Sequence, residues 1–267
     1  MPRIPLKNIT LCAASDVAIP ATIGSMRRCL AVADFHEALF FTSKTDHRDN
    51  DPGVTTVAIP PLGTREHYSR FILADLAQYI KTDFALVVQW DGFIVDPLAW
   101  TPKFLEFDYI GAPWLDCAPP MNVGNGGFSL RSKRLLEVGS EPWFQHSHPE
   151  DLCICHQNRQ ALEDRGIRIA DVDTARRFSR EREPAYEDHF GIHGIFAIAD
   201  IMDREELEDY LSCIEIGTIG KRELLDTLKV LRSKGIRDGY AVRRCANEFI
   251  RRFPLSRHSV RLFAHLF

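Results

Sequence analysis

Asp91, Glu150, Asp151 and His193, with the run Asn125-Gly126-Gly127, are the residues whose types could do chemistry together. Asp91 closes an apolar stretch, Phe84-Ala-Leu-Val-Val-Gln-Trp-Asp-Gly-Phe93. Such a run has the character of a buried parallel strand. In open α/β sheets ligands gather beyond the carboxyl ends of these strands, where an acid can meet a metal or a sugar phosphate. Gly92 lets the backbone turn or approach a ligand closely. On its own, though, Asp-Gly is better explained as an ordinary strand-to-turn junction. Glu150 and Asp151 open a helical pattern, where acids suit the helix dipole. The glycines after Asn125 serve a tight turn equally well. By spacing alone a single histidine such as His193 is a satisfied structural residue.

The elements that must position these groups follow from hydrophobic period. Strands are expected at Ile9–Ala14, Ala38–Thr42, Thr55–Ile59 and in the run ending at Asp91. Helices are expected at 21–33 and 65–80, and 46–53 is a polar loop with a Pro-Gly signal. Beyond Asp91, residues 111–114 read as a turn and the 123–131 stretch as a glycine cluster leading into a strand. A helix over 132–138 has Ser132 as its cap, and a second spans 149–165. Residues 167–170 form a short strand, 175–188 a polar loop, and the chain is helical from Arg204. The order points to a largely parallel sheet with crossover helices.

Composition narrows the class. The chain has 267 residues, room for one large domain or a domain plus an appendage. No apolar run approaches the ~20 residues of a membrane helix, and Asp16 interrupts the apolar patch at 9–14. A cytosolic protein is the expectation. Seven cysteines, irregularly spaced, argue against a disulfide framework. Residues 221–267 hold twelve Lys/Arg against four acids, a net +8, which leaves −12 on residues 1–220. In this basic segment Leu224, Leu225, Leu228 and Leu231 share a face, and Phe249, Ile250, Phe253, Val260, Leu262 and Phe263 alternate with arginines. It is read first as a helical appendage, and second as a contact with the inner face of a membrane. No nucleic-acid motif is present. Residues 1–203 would be the main domain and 204–267 the appendage.

Five motifs stand in order: Gln89-Trp-Asp-Gly-Phe93, Asp108-Tyr-Ile-Gly-Ala-Pro-Trp114, Val123-Gly-Asn-Gly-Gly-Phe-Ser-Leu-Arg131, Pro149-Glu-Asp151 and Phe190-Gly-Ile-His-Gly194. Together they resemble a bacterial family of glycosyltransferase-like proteins, the DUF5672 group, from about residue 65 to 195. The motif order also looks like metal-dependent GT-A glycosyltransferases. The resemblance implies an α/β, Rossmann-like mixed sheet flanked by helices, with a C-terminal helical appendage. It implies sugar transfer from a UDP- or GDP-sugar to a hydroxyl on a glycan or lipid-linked acceptor, with inversion. It makes Asp91 and His193 ligands of Mn²⁺ or Mg²⁺. Position 93 is Phe, so one acid stands where the GT-A motif has two. The resemblance makes Asp151 the base that deprotonates the acceptor and Glu150 a sugar-binding partner. Ser15, Asp16, Gln89, Trp114, Asn125, Gly126 and Gly127 would line the donor and acceptor sites. Two rivals are kept: a non-catalytic nucleotide- or glycan-binding module, and a metal-dependent hydrolase built on His146, His148, Glu150, Asp151 and Cys153. Pro149 breaks the helical histidine spacing of the latter.

Overall fold

The computed structural model describes residues 3–45, 51–183, 188–214 and 219–254. It divides into two compact units, Met1–His193 and Gly194–Phe267. The boundary falls at 193/194, rather than the expected 203/204, because the helix at 195–201 packs on a later helix of the second unit.

In the first unit, strand β1 (Ile4–Ala14) leads through helix α1 (Ile19–Val32) to β2 (Ala33–Thr42) and β3 (Thr55–Ala58). Helix α2 (Arg65–Arg70) then continues through a π turn and a 3₁₀ turn to Tyr79 before β4 (Phe84–Val88). The expected helix over 65–80 thus changes pitch along its length. Strand β5 (Gly92–Ile94), β6 (Tyr109–Ile110) and β7 (Phe128–Ser132) follow. Among the described residues the main sheet has the order β3-β2-β1-β4-β7-β6. β1 pairs in parallel with both β2 and β4, whereas β7 runs antiparallel to β4 and β6. The sheet is therefore mixed. The chain winds from β1 outward to β3, then returns to the opposite side of β1 for β4. The carboxyl ends of β1 and β4 consequently flank a topological switch point, the place where doubly wound sheets open a crevice.

Burial explains the central strands. Leu11, Val87 and Leu130 are sealed in the interior. On one face Phe41 packs against Phe71 and Tyr79 at ring separations of 5.1 and 5.0 Å. Burying one such side chain contributes roughly 1.5–3 kcal/mol. Helix α3 (Lys133–Val138) starts where expected, because the Ser132 side chain accepts the Leu135 N–H. The expected helix over 149–165 is instead α4 (Glu150–Leu152), a π turn and α5 (Arg159–Glu163). The break falls at Asn158, whose amide donates to the Gln145 and Cys153 carbonyls. The expected strand at 167–170 is reduced to a bridge between Tyr109 and Ile169.

Residues 175–188, expected as loop, begin inside helix α6 (Val172–Phe178), capped by Asp171 on the Thr174 N–H. Strand β8 (Ser179–Arg180) follows, and 184–187 lie outside the described residues. A small sheet, β5-β9-β8, contains β9 (Gly191–His193) and sets Gly92 opposite His193.

The second unit holds α7 (Ile195–Ile201), α8 (Arg204–Ser212), α9 (Lys221–Ser233) and α10 (Tyr240–Arg252). Leu224, Leu228 and Leu231 bury one side of α9, and Cys245 and Phe249 bury one side of α10. Lys234 donates to the carbonyls of Ala199, Asp200 and Met202 at the end of α7, satisfying groups a helix end leaves open. Val260, Leu262 and Phe263 lie outside the described residues. No helix among the described residues is long and apolar enough to cross a membrane.

Candidate active site

The site grows from two turns that hold each other. β4 stops at Val88, short of Asp91; the Gln89 N–H still donates to the Gly127 carbonyl at 2.8 Å, in register with the β4–β7 pairing, and the chain turns after it. The Gly92 N–H then donates back to the Gln89 carbonyl, closing a turn with Asp91 in it. A Cβ on Gly92 would lie 2.6 Å from the Gly127 oxygen, so the approach of the two turns requires glycine. Ser25 of α1 donates to the Trp90 carbonyl at 2.6 Å, and Gln89 donates to the Tyr68 hydroxyl at 3.0 Å.

The second turn pivots on Asn125, which takes a left-handed conformation with φ 59°. Asparagine tolerates that region better than most residues. Its Oδ1 accepts the Gly127 N–H at 3.1 Å, and its Nδ2 meets His193 Nδ1 at 3.0 Å. The other ring nitrogen, Nε2, lies 3.2 Å from Asp91 Oδ1. Asp91 and His193, distant in sequence, thus become neighbours through the β5–β9 pairing. Both are buried.

On the far side of the glycines lies a second acid. Arg131 is fully buried in β7 and donates from Nη2 to Glu150 Oε1 and from Nε to Ser129 Oγ, each at 3.0 Å. Burial pushes the Glu150 carboxyl above its ordinary range, Asp151 adds to this, and Arg131 opposes both. Glu150 is therefore committed through Oε1 to an ion pair with Arg131. Asp151 is half-buried, with Oδ2 accepting the Gly126 N–H at 3.1 Å and Oδ1 accepting the Leu152 N–H at 2.8 Å. It is the accessible acid beside the turn.

A family model described as "Protein of unknown function (DUF5672)" matches residues 53–193. The chain belongs to the DUF5672 family. No curated protein matches it. Among solved structures it is similar to a glycosyltransferase involved in glycosylation of the major capsid of PBCV-1, at 13% identity over 76% of this chain and 98% of that one, TM-score 0.44. It is also similar to a mannosyltransferase from Pyrobaculum calidifontis in complex with GDP-Man and Mn²⁺, at 10% identity over 97% and 79%, TM-score 0.44. A third is CMP:2-keto-3-deoxy-manno-octonic acid synthetase complexed with CTP, at 11% identity over 63% and 90%, TM-score 0.37. At such scores these likenesses define no activity.

In this DUF5672 chain the remaining expected residues separate. Asp16 is buried and accepts four hydrogen bonds, from the Thr42 hydroxyl, the Ser43 N–H and hydroxyl, and the Leu62 N–H. Burial works to raise its carboxyl, but those bonds outweigh it and hold the group below the usual carboxylate range. Its capacity goes to fastening the loops after β1, β2 and β3. Ser15 is half-buried, and its side-chain oxygen accepts the Val17 N–H. Gly126 and Gly127 are buried, and each makes room for a side chain. A Cβ would sit 2.0 Å from Glu150 Oε1 at the first and 2.0 Å from His193 Nε2 at the second. Trp114 covers Gly124 and meets His156 edge-on at 5.0 Å.

The hydrolase cluster does not assemble. His146 bonds the Gly139 carbonyl, His148 the Ser69 hydroxyl and Cys153 the Gln145 carbonyl. No group of three or more His, Cys, Asp or Glu set to hold a metal occurs among the described residues.

The Asp91–His193 pair admits a sharper metal test. Asp91 Oδ1 is buried without a donor at hydrogen-bond geometry among the described residues, as a cation ligand would be. Its 3.2 Å separation from His193 Nε2 matches the edge between two neighbouring ligands held about 2.1 Å from an octahedral ion. Yet a ligating imidazole donates its other N–H to an acceptor, and here that nitrogen meets the Asn125 amide nitrogen. The pair does not fit an ion bound through His193.

Arg131 and Glu181 were missed. An arginine inside the buried pattern Phe128-Ser-Leu-Arg-Ser132 signals a counter-ion, here Glu150. Glu181, 3.9 Å from His193 Nδ1, lies in a stretch whose polarity masked its strand.

Proposed function

We propose that this DUF5672 chain is a glycosyltransferase of GT-A type that moves a sugar from a nucleotide-sugar donor to a hydroxyl acceptor. One observation carries the reading. Asp91, the Asn125–Gly127 turn, Asp151 and His193 come from separate motifs and converge beyond the carboxyl end of β4, beside the switch point. Asp91 and His193 form the floor of the donor site, and Gln89 and Ser15 border it. Asp151 takes the acceptor's hydroxyl proton while the oxygen attacks the anomeric carbon. The bond from that carbon to the diphosphate oxygen breaks, and the nucleoside diphosphate leaves with the electron pair. Removal of one such base lowers rates by about 10²–10⁴-fold.

The test is turnover of a panel of UDP- and GDP-sugars by purified protein, with Mn²⁺ and Mg²⁺ as assay variables. Asp151→Asn should lose transfer and keep donor affinity. Loss of donor affinity instead rejects the base role, and failure of every nucleotide sugar to bind sinks the proposal. A non-catalytic binding module is the second reading. It draws support from Asp151 holding a backbone N–H on each oxygen. That module would bind donor and turn over none.

A further inference from the structure

We infer that His193 carries its proton on Nε2 and serves as a positioning residue for Asp91, not as a metal ligand. An asparagine side chain can be turned either way around, but here one end is fixed. Asn125 Oδ1 accepts the N–H of Gly127 at 3.1 Å, so Nδ2 is the end that faces His193. That NH₂ group has only protons to offer, and it stands 3.0 Å from His193 Nδ1. Nδ1 must therefore present its lone pair, and in the neutral ring the proton resides on Nε2.

Glu181 Oε1, an acceptor among the described residues, stands 3.9 Å from Nδ1, beyond hydrogen-bond reach. Two further observations agree. The Nε2 edge abuts Gly127, where even a methyl group would come within 2.0 Å of the nitrogen. Its other neighbour is the buried Asp91 carboxylate at 3.2 Å, which a proton on Nε2 attracts and a lone pair repels.

The result is a directed pair of hydrogen bonds, the Gly127 N–H to Asn125 and Asn125 to His193, which sets the Nε2 proton 3.2 Å from Asp91 Oδ1 as an electrostatic contact without hydrogen-bond alignment. It transmits the position of the glycine turn to the carboxylate in the turn after β4. Any divalent ion that enters with a nucleotide diphosphate is then held without His193. The inference concerns His193's proton and stands apart from the proposed sugar transfer.

The experiment uses the full chain labelled with ¹⁵N in its histidines. Long-range ¹H–¹⁵N correlation of the rings identifies the tautomer, with His193 assigned by its disappearance in His193→Gln. The expected spectrum shows an Nε2-protonated ring that keeps its tautomer and its Nε2 shift when diamagnetic Mg²⁺ is added with or without UDP. An Nδ1-protonated ring, or loss of the Nε2 proton on addition of Mg²⁺, overturns the inference. Failure of all nucleotide sugars to turn over would leave the ring spectrum untouched and would count only against the transferase.

Discussion

The two flanks of the Asn125–Gly127 turn are built from similar parts and do opposite things. On one flank an acid and a base meet in full burial: Arg131 and Glu150, with Ser129 completing the contacts. On the other flank an acid meets an imidazole: Asp91 and His193, with Asn125 behind. In the first, opposite charges compensate each other. In the second, a carboxylate oxygen is left without an aligned donor among the described residues. A buried carboxylate so left costs stability unless something outside the protein completes it. Glu150 is thereby bound into the scaffold, whereas Asp91 keeps an oxygen that the proposed transfer would use for a ligand.

The largest expected effect is on the scaffold flank. Arg131→Ala strands Glu150 in the interior and should cost about 3–5 kcal/mol, measured by urea unfolding. A cost below 1 kcal/mol would erase the contrast between the flanks. Next, Gly126→Ala drives a methyl group into the ion pair and should cost about 1–3 kcal/mol by the same measurement. A neutral outcome would mean that the pair is loosely held. Smallest is Asp91→Asn, which keeps the shape and removes the charge. It should shift stability by about 1 kcal/mol or less, in either direction, while donor affinity, read by calorimetry with UDP- and GDP-sugars, falls. A loss of several kcal/mol would make Asp91 scaffold as well.

Much of the fold was legible because its elements obey local rules. Ser132 reads as a cap and is one. The run 84–88 reads as a buried strand and is one. The misreadings have a shared cause: long-range partners outvoted local pattern. The run from 84 turns after Gln89, where Gly92 fits against the carbonyl of Gly127, and Asn158 breaks a helix to hold Gln145. At the site, residue types were legible and their commitments were not. Glu150 and Asp151 are adjacent and chemically alike, and only burial separates the sealed acid from the accessible one. Nothing in the local sequence around Asp16 announces that its carboxylate will gather three loops.

The Asn125-Gly126 pair has a chemical consequence for how this molecule ages. In an open peptide, Asn-Gly is prone to deamidation, because the glycine nitrogen attacks the asparagine side-chain carbonyl and closes a succinimide ring. Here that nitrogen donates its proton to Asp151, and the asparagine amide is tethered at both its oxygen and its nitrogen. The attacking and attacked groups are thus held to other work for as long as the turn stays shut. Each opening exposes them, and each cyclisation that follows leaves an acid where an amide stood. Protein kept in solution would accumulate these conversions as a written history of how often its turn had come apart.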